Sequence, residues 1–276
     1  MTINSFGLGY LPVLWSLLSV FAFIGAYVTA VLEGHVYYFL PSIGDTGTKD
    51  PESNIFSLLM NISVIIGLSN YIIRYFQCQY QARQCANERE AIYKYNRVSL
   101  LLAVGSILGG LIVVNISLRK EYYLLEIHDA GAIVFFLFTT MYFWVQTILS
   151  YKVAKFGLIS SLMCHVRCFL IFTISVFLCI HVVTSILSYE IFINYNLQHT
   201  IAQWVPGDFG YLIHVVSNSS EWLSAMLITI YVLTYFEEFQ HVVLLIDCQE
   251  RSPMVEFYDS VGVYSNWKFM NEENNN

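Results

Sequence analysis

Six apolar runs, each long enough to cross a bilayer and each ended by a short polar break, leave this chain few folds to adopt. They cover residues 12–32, 55–76, 98–118, 130–150, 168–189 and 212–236. A hydrocarbon core about 30 Å thick takes roughly 20 helical residues at about 1.5 Å each. Inside it every backbone N–H and C=O must find a partner within the protein, and a helix supplies those partners locally. The expected fold is therefore all-α, a polytopic membrane protein built as a bundle of six transmembrane helices. Charge agrees: charged residues are 12% of the 276, against about 25% in a soluble domain.

No Lys or Arg precedes residue 12, so the first run reads as a retained helix and not as a secretory signal. No repeat, linker or extramembrane domain stands out. Residues 1–240 read as one membrane domain, and 241–276 as an irregular acidic tail facing the cytosol. After Glu237 the acids Glu238, Asp247, Glu250, Glu256, Asp259, Glu272 and Glu273 meet only Arg251 and Lys268. That local imbalance carries much of the net charge of −7, which implies no nucleic-acid partner.

Orientation follows from the 13 Lys and Arg. Lys49, Arg119 and Lys120 fall on one side. The others, from Arg74, Arg83, Arg89, Lys94 and Arg97 through Lys152, Lys155 and Arg167 to the tail, fall on the opposite side. The positive-inside rule then puts both termini in the cytosol. The connection at residues 41–52 would face the lumen. It carries two prolines, two glycines and an Asp-Thr pair able to bond its own backbone, so it reads as a compact turn exposing Asp45 and Glu52. Glu52 also suits the positive end of the helix that follows.

Polar side chains at membrane depth are the functional signal, because they are costly there and face the bundle interior. His214, Asn218 and Glu221 recur at i, i+4 and i+7, on one face of the sixth run. Under the inferred topology they meet His128, Asp45 and Glu52 in the lumenal half. These six form the candidate binding cluster. Each has a plainer reading: His128 as a helix-end residue in water, Asn61, Asn70 and Asn218 as hydrogen-bonding glue between helices, His181 as a packed histidine. Gly105, Ser106, Gly109 and Gly110 permit close helix approach and need no functional reading. No activated Ser or Cys nucleophile and no His-Glu-x-x-His spacing appears, so no catalytic residue, metal set or cofactor is assigned.

Several separated stretches carry a resemblance. Leu11-Pro12 and Trp15 open it, followed by Ile43-Gly44-Asp45-Thr46-Gly47-Thr48 with Pro51-Glu52. Asn61, Arg74-Tyr75, Asn115 and His128 with Gly131-Ala132 continue it. Residues 145–151, then Gly210-Tyr211, His214, Glu221-Trp222 and Leu233-Thr234-Tyr235 complete it. In these the chain resembles the six-span FRAG, SFK and damage-regulated autophagy modulator (DRAM) proteins, and is most similar to the DRAM branch. It departs at Gly44, where the branch has Ser, and at Asp129. The resemblance implies a lysosomal or endosomal membrane protein that promotes autophagy and feeds into cell death.

Two functions are then expected. The favoured one is a non-enzymatic regulator acting through membrane lipids or membrane-protein partners. The alternative is an intramembrane lipid-modifying enzyme or transporter built on the His/Asp/Glu cluster. In the tail, Tyr258-Asp259-Ser260-Val261 fits the Tyr-x-x-apolar pattern read by clathrin adaptors, with Tyr258 and Val261 as the anchoring residues.

Overall fold

The computed structural model describes residues 7–116, 122–195 and 200–243. Helix dominates them, and no strand occurs among the described residues. The elements are α1 (Tyr10–Leu32), α2 (Ile43–Thr46), α3 (Glu52–Gln84), α4 (Arg89–Asn115), α5 (Tyr122–Ala154), α6 (Ser161–Asn194), α7 (Tyr211–Leu233) and α8 (Phe236–Gln240). The six long helices pack in chain order, and α7 returns to α1, which closes a ring. Neighbouring helices run antiparallel: Ser16 near the start of α1 bonds the Thr229 carbonyl near the end of α7, and Arg167 near the start of α6 bonds Thr234 just past that end. Short connections impose that antiparallel order.

Among the described residues five helices are long and apolar enough to cross a membrane: α1, α3, the α4 helix, α5 and α6. Where a sixth span is expected lies α7, an unbroken 23-residue helix. It is not among those five, because Ser217 to Glu221 and Ser224 dilute its apolar character. The polytopic bundle thus stands, with α7 as a more polar member held among the others.

The bundle is apolar outside and polar within. Phe21, Leu101, Leu162 and Phe169 project outward at 62–73% exposure, the pattern a lipid solvent requires. The interior carries Ser16, Ser19, Ser63, Ser106, Thr139 and Gln146, all buried. These bond across helices: Ser16 to the Thr229 carbonyl at 3.1 Å, Ser19 to Ser63 at 2.8 Å, Ser106 to Thr139 at 2.7 Å; Thr147 joins Tyr231 in the same way at 2.9 Å. Lipid supplies no hydrophobic drive between helices, so close backbone approach and such bonds hold the ring. Gly109 shows the approach directly. A Cβ there would lie 2.5 Å from the backbone nitrogen of Phe135 and 2.9 Å from the carbonyl oxygen of Gly131.

At the end holding the α3–α4 and α5–α6 turns, two arginines are buried. Arg74 is 1% exposed and Arg167 is fully buried. Both reach Glu238 of α8: Arg74 Nη1 donates to Oε2 at 2.7 Å, and Arg167 Nη2 donates to Oε1. Tyr235 lies between them, with the guanidinium carbons 5.0 and 4.2 Å from its ring centre. Arg74, Arg167 and Glu238, counted from sequence as charges on one side, therefore lie within the bundle. The three form an interior ion cluster that docks α8, because two buried cations demand a carboxylate.

Candidate functional site

The other end of the ring is organised by α7. Three of its residues hold the backbone of the connection between α1 and α3. Asn218 Nδ2 donates to Leu40 O at 2.9 Å, Trp222 Nε1 donates to Pro41 O at 2.9 Å, and Glu221 Oε2 accepts from Ile43 N at 3.1 Å. Positions 218, 221 and 222 share a helix face by their spacing. Leu40 sits at φ +47°, a left-handed conformation that costs a branched side chain. The following residues turn into α2, where the Ser42 hydroxyl caps the N–H of Asp45 at 3.0 Å.

Beneath this strap lies a cavity of about 470 Å³. Its roof is Ile43, Gly44 and Gly47; His128 and Glu221 border it; Phe23, Met60, Phe135 and Ile228 form apolar walls. A second cavity of about 80 Å³ shares the Trp15, Met60, Phe135 and Ile228 walls and reaches Asn70 on α3. Apolar walls with a few convergent polar groups are the usual constitution of a ligand pocket.

The six expected cluster residues are divided by this geometry. His128 and Glu221 face the large cavity. Asp45 is half-buried in α2 beside them. Loss of solvent pushes its carboxyl above the usual carboxylate range, while Ser42 and His128 pull the other way and the Asp129 charge adds to the rise. His214 and Asn218 do not line it: their side chains pair at 3.0 Å, and Trp204 covers the His214 ring with centroids 4.8 Å apart. Glu52 is fully buried and takes His35 Nδ1 at 2.5 Å, so the expectation that residues 41–52 expose Glu52 and Asp45 is corrected. The carboxylate serves the inner side of the turn, at the positive end of α3.

The plainer readings account for other residues. Asn61 and Asn115 exchange reciprocal amide bonds at 3.1 Å, joining α3 to α4. His181 Nδ1 lies 3.0 Å from Ser217 O. Asn70 differs, since both its amide atoms are buried without a partner. Sequence reasoning did not anticipate Trp204 over His214, nor the His35–Glu52 pair; neither has a spacing signal. The motif Tyr258–Val261 lies outside the described residues. Among the described residues no group of three or more His, Cys, Asp or Glu side chains is placed to hold a metal ion.

A ring of antiparallel membrane helices, strapped at one end over an internal cavity and locked at the other by a buried ion cluster, defines a class of polytopic membrane protein. The family model described as Frag1/DRAM/Sfk1/Cwh43P N-terminal domain matches residues 7–242, and the chain belongs to that family. It is 35% identical over 244 residues to DNA damage-regulated autophagy modulator protein 1 of Homo sapiens, covering 88% of this chain and 95% of that protein. It is 30% identical over 258 residues to DNA damage-regulated autophagy modulator protein 2 of Rattus norvegicus, covering 92% and 91%. No solved structure matches it.

Proposed function

We propose that this protein modulates autophagy from endolysosomal membranes as a non-enzymatic regulator, and that it feeds into cell death. The observation that carries the reading is similarity along nearly the whole chain to proteins named as autophagy modulators. Both termini lie in the cytosol under this proposal, with Arg83, Arg89, Lys94, Arg97 and Lys155 exposed at that face. Each basic residue near an anionic leaflet adds about 1 kcal/mol of attraction, which gives lipids a part in recruitment. Membrane-protein partners and clathrin adaptors, the latter through Tyr258 and Val261, complete the set.

The test is autophagic flux in cells lacking the protein, with and without re-expression. Flux that falls on loss and returns on re-expression supports the reading, and unchanged flux overturns it. A tag at Lys49 shielded in intact organelles supports the orientation, whereas cytosolic access to it refutes the orientation.

A second reading has one observation behind it. The cavity bordered by His128 and Glu221 gives an intramembrane lipid enzyme or carrier a place to bind its substrate.

A further inference from the structure

The two cavities differ in character from end to end, and that difference selects a ligand. At the strapped end Glu221 and His128 border the larger cavity together with Ser53, Asn54, Ser57 and Asn115, and Glu221 is the one carboxylate among its described lining residues. His128 Nδ1 lies 2.6 Å from Ile116 O; the carbonyl can only accept, so Nδ1 is the donor and the other edge of the ring is left for the cavity. Glu221 accepts from the Ile43 N–H and also meets the Gly44 backbone, and a carboxylate has acceptor capacity beyond two such bonds. Asp45 stands close enough to His128 for their charges to interact. No Lys or Arg occurs among the described lining residues. An ammonium or hydroxyl head would find an acceptor here, whereas no basic side chain stands ready to pair a carboxylate or phosphate.

Below the acceptors the walls turn apolar and remain so into the smaller cavity. From Ser57 on the first cavity to Asn70 at the far end of the second is ~20 Å along α3 at helical rise. The two cavities share Trp15, Met60, Val113, Val114, Phe135 and Ile228 as walls, and an extended hydrocarbon chain laid through both would follow α3. Asn70, 8% exposed and with neither amide atom paired, marks its inner limit. A buried amide without a partner is unfavourable, and one set in a cavity wall is available to a group entering that cavity.

We propose that the paired cavities bind a single-chain membrane amphiphile with an amine head, the head seated against Glu221 and His128 and the chain directed towards Asn70. The proposal rests on the second functional reading and deepens it. It is independent of the autophagy reading, since a titration on purified protein and a flux measurement in cells can fail separately.

Trp15 borders both cavities and supplies the probe. The full chain in nanodiscs would be titrated with a mid-chain-brominated C18 amine and with the matching brominated fatty acid. The readout is the quenching that disappears in Trp15→Phe. The expected result is saturable quenching by the amine, with the fatty acid at least about tenfold weaker. Ala132→Phe, which adds bulk to the cavity wall and leaves the Glu221 carboxylate in place, should abolish the saturable component. Glu221→Gln should remove most of the preference for amine over acid. Because Glu221 also tethers Ile43, its thermal unfolding is followed in parallel, and Ala132→Phe decides the matter if Glu221→Gln fails to fold. Equal quenching by acid and amine, or saturation that survives Ala132→Phe, overturns the proposal, as does the lack of any saturable component.

Discussion

Asn218 donates to the carbonyl oxygen of Leu40 across 178 positions of sequence, at 2.9 Å. The bond fastens the strap over the cavity and steadies a residue held at φ +47°. Asn218→Leu removes the donor and leaves both the Leu40 carbonyl and His214 short of a partner. The expected loss is about 1–3 kcal/mol of stability, read as a lower unfolding temperature in nanodiscs. Asn61→Leu, at the more exposed amide pair with Asn115, should lose less.

Glu238 neutralises two buried arginines, so its removal leaves uncompensated charge. Glu238→Gln is expected to destabilise the bundle by roughly 3–5 kcal/mol. Replacing Arg74, Arg167 and Glu238 together with apolar residues of similar size should cost less than the single change. Thermal unfolding of the two variants checks the order.

The Asp45 carboxyl is raised above its ordinary value by desolvation. The folded state therefore holds the proton more tightly than the unfolded chain, and stability from this group is lost as pH rises from the usual carboxylate range through the raised value. Asp45→Asn should stabilise the protein at neutral pH, and the gain should shrink as the buffer is made acidic. Unfolding temperatures of both proteins across pH provide the measurement.

Glu88 behaves oppositely. Contacts with Lys152 and Lys155 hold its carboxyl down to about 2. Its contribution is present above the ordinary Glu value and is lost only as pH falls towards 2. Glu88→Gln should reduce stability at neutral pH and converge with the parent protein in strong acid, as followed by circular dichroism.

Gly109 and Gly25 provide a matched pair. Gly109→Ala places a methyl 2.5 Å from the Phe135 backbone, whereas at Gly25 the nearest atom is 3.9 Å away. The first should cost about 1–3 kcal/mol through overpacking. The second should gain up to about 1 kcal/mol of helix propensity. Opposite shifts in unfolding temperature are the expected result.

The helices were legible because lipid imposes a length and a polarity that composition alone displays. Runs of apolar residues gave α1, α3, α4, α5 and α6 to within their ends. The Gly105–Gly110 stretch announced a close contact, although not that α5 makes it. His214, Asn218 and Glu221 were recognisable as one helix face. Their separate duties were not, because a spacing rule says which side chains share a face but not what lies opposite.

The amino-acid sequence by itself determined a bundle of membrane helices and its family, since both rest on local apolar length and on residues kept in order. Only the tertiary structure decided that Glu52 turns inward to His35, that Trp204 seals His214, and that Glu238 bridges Arg74 and Arg167. Those pairings join residues 10 to 164 positions apart. Which of many polar groups meet inside a ring is fixed by how its helices close, and local sequence does not encode that closure.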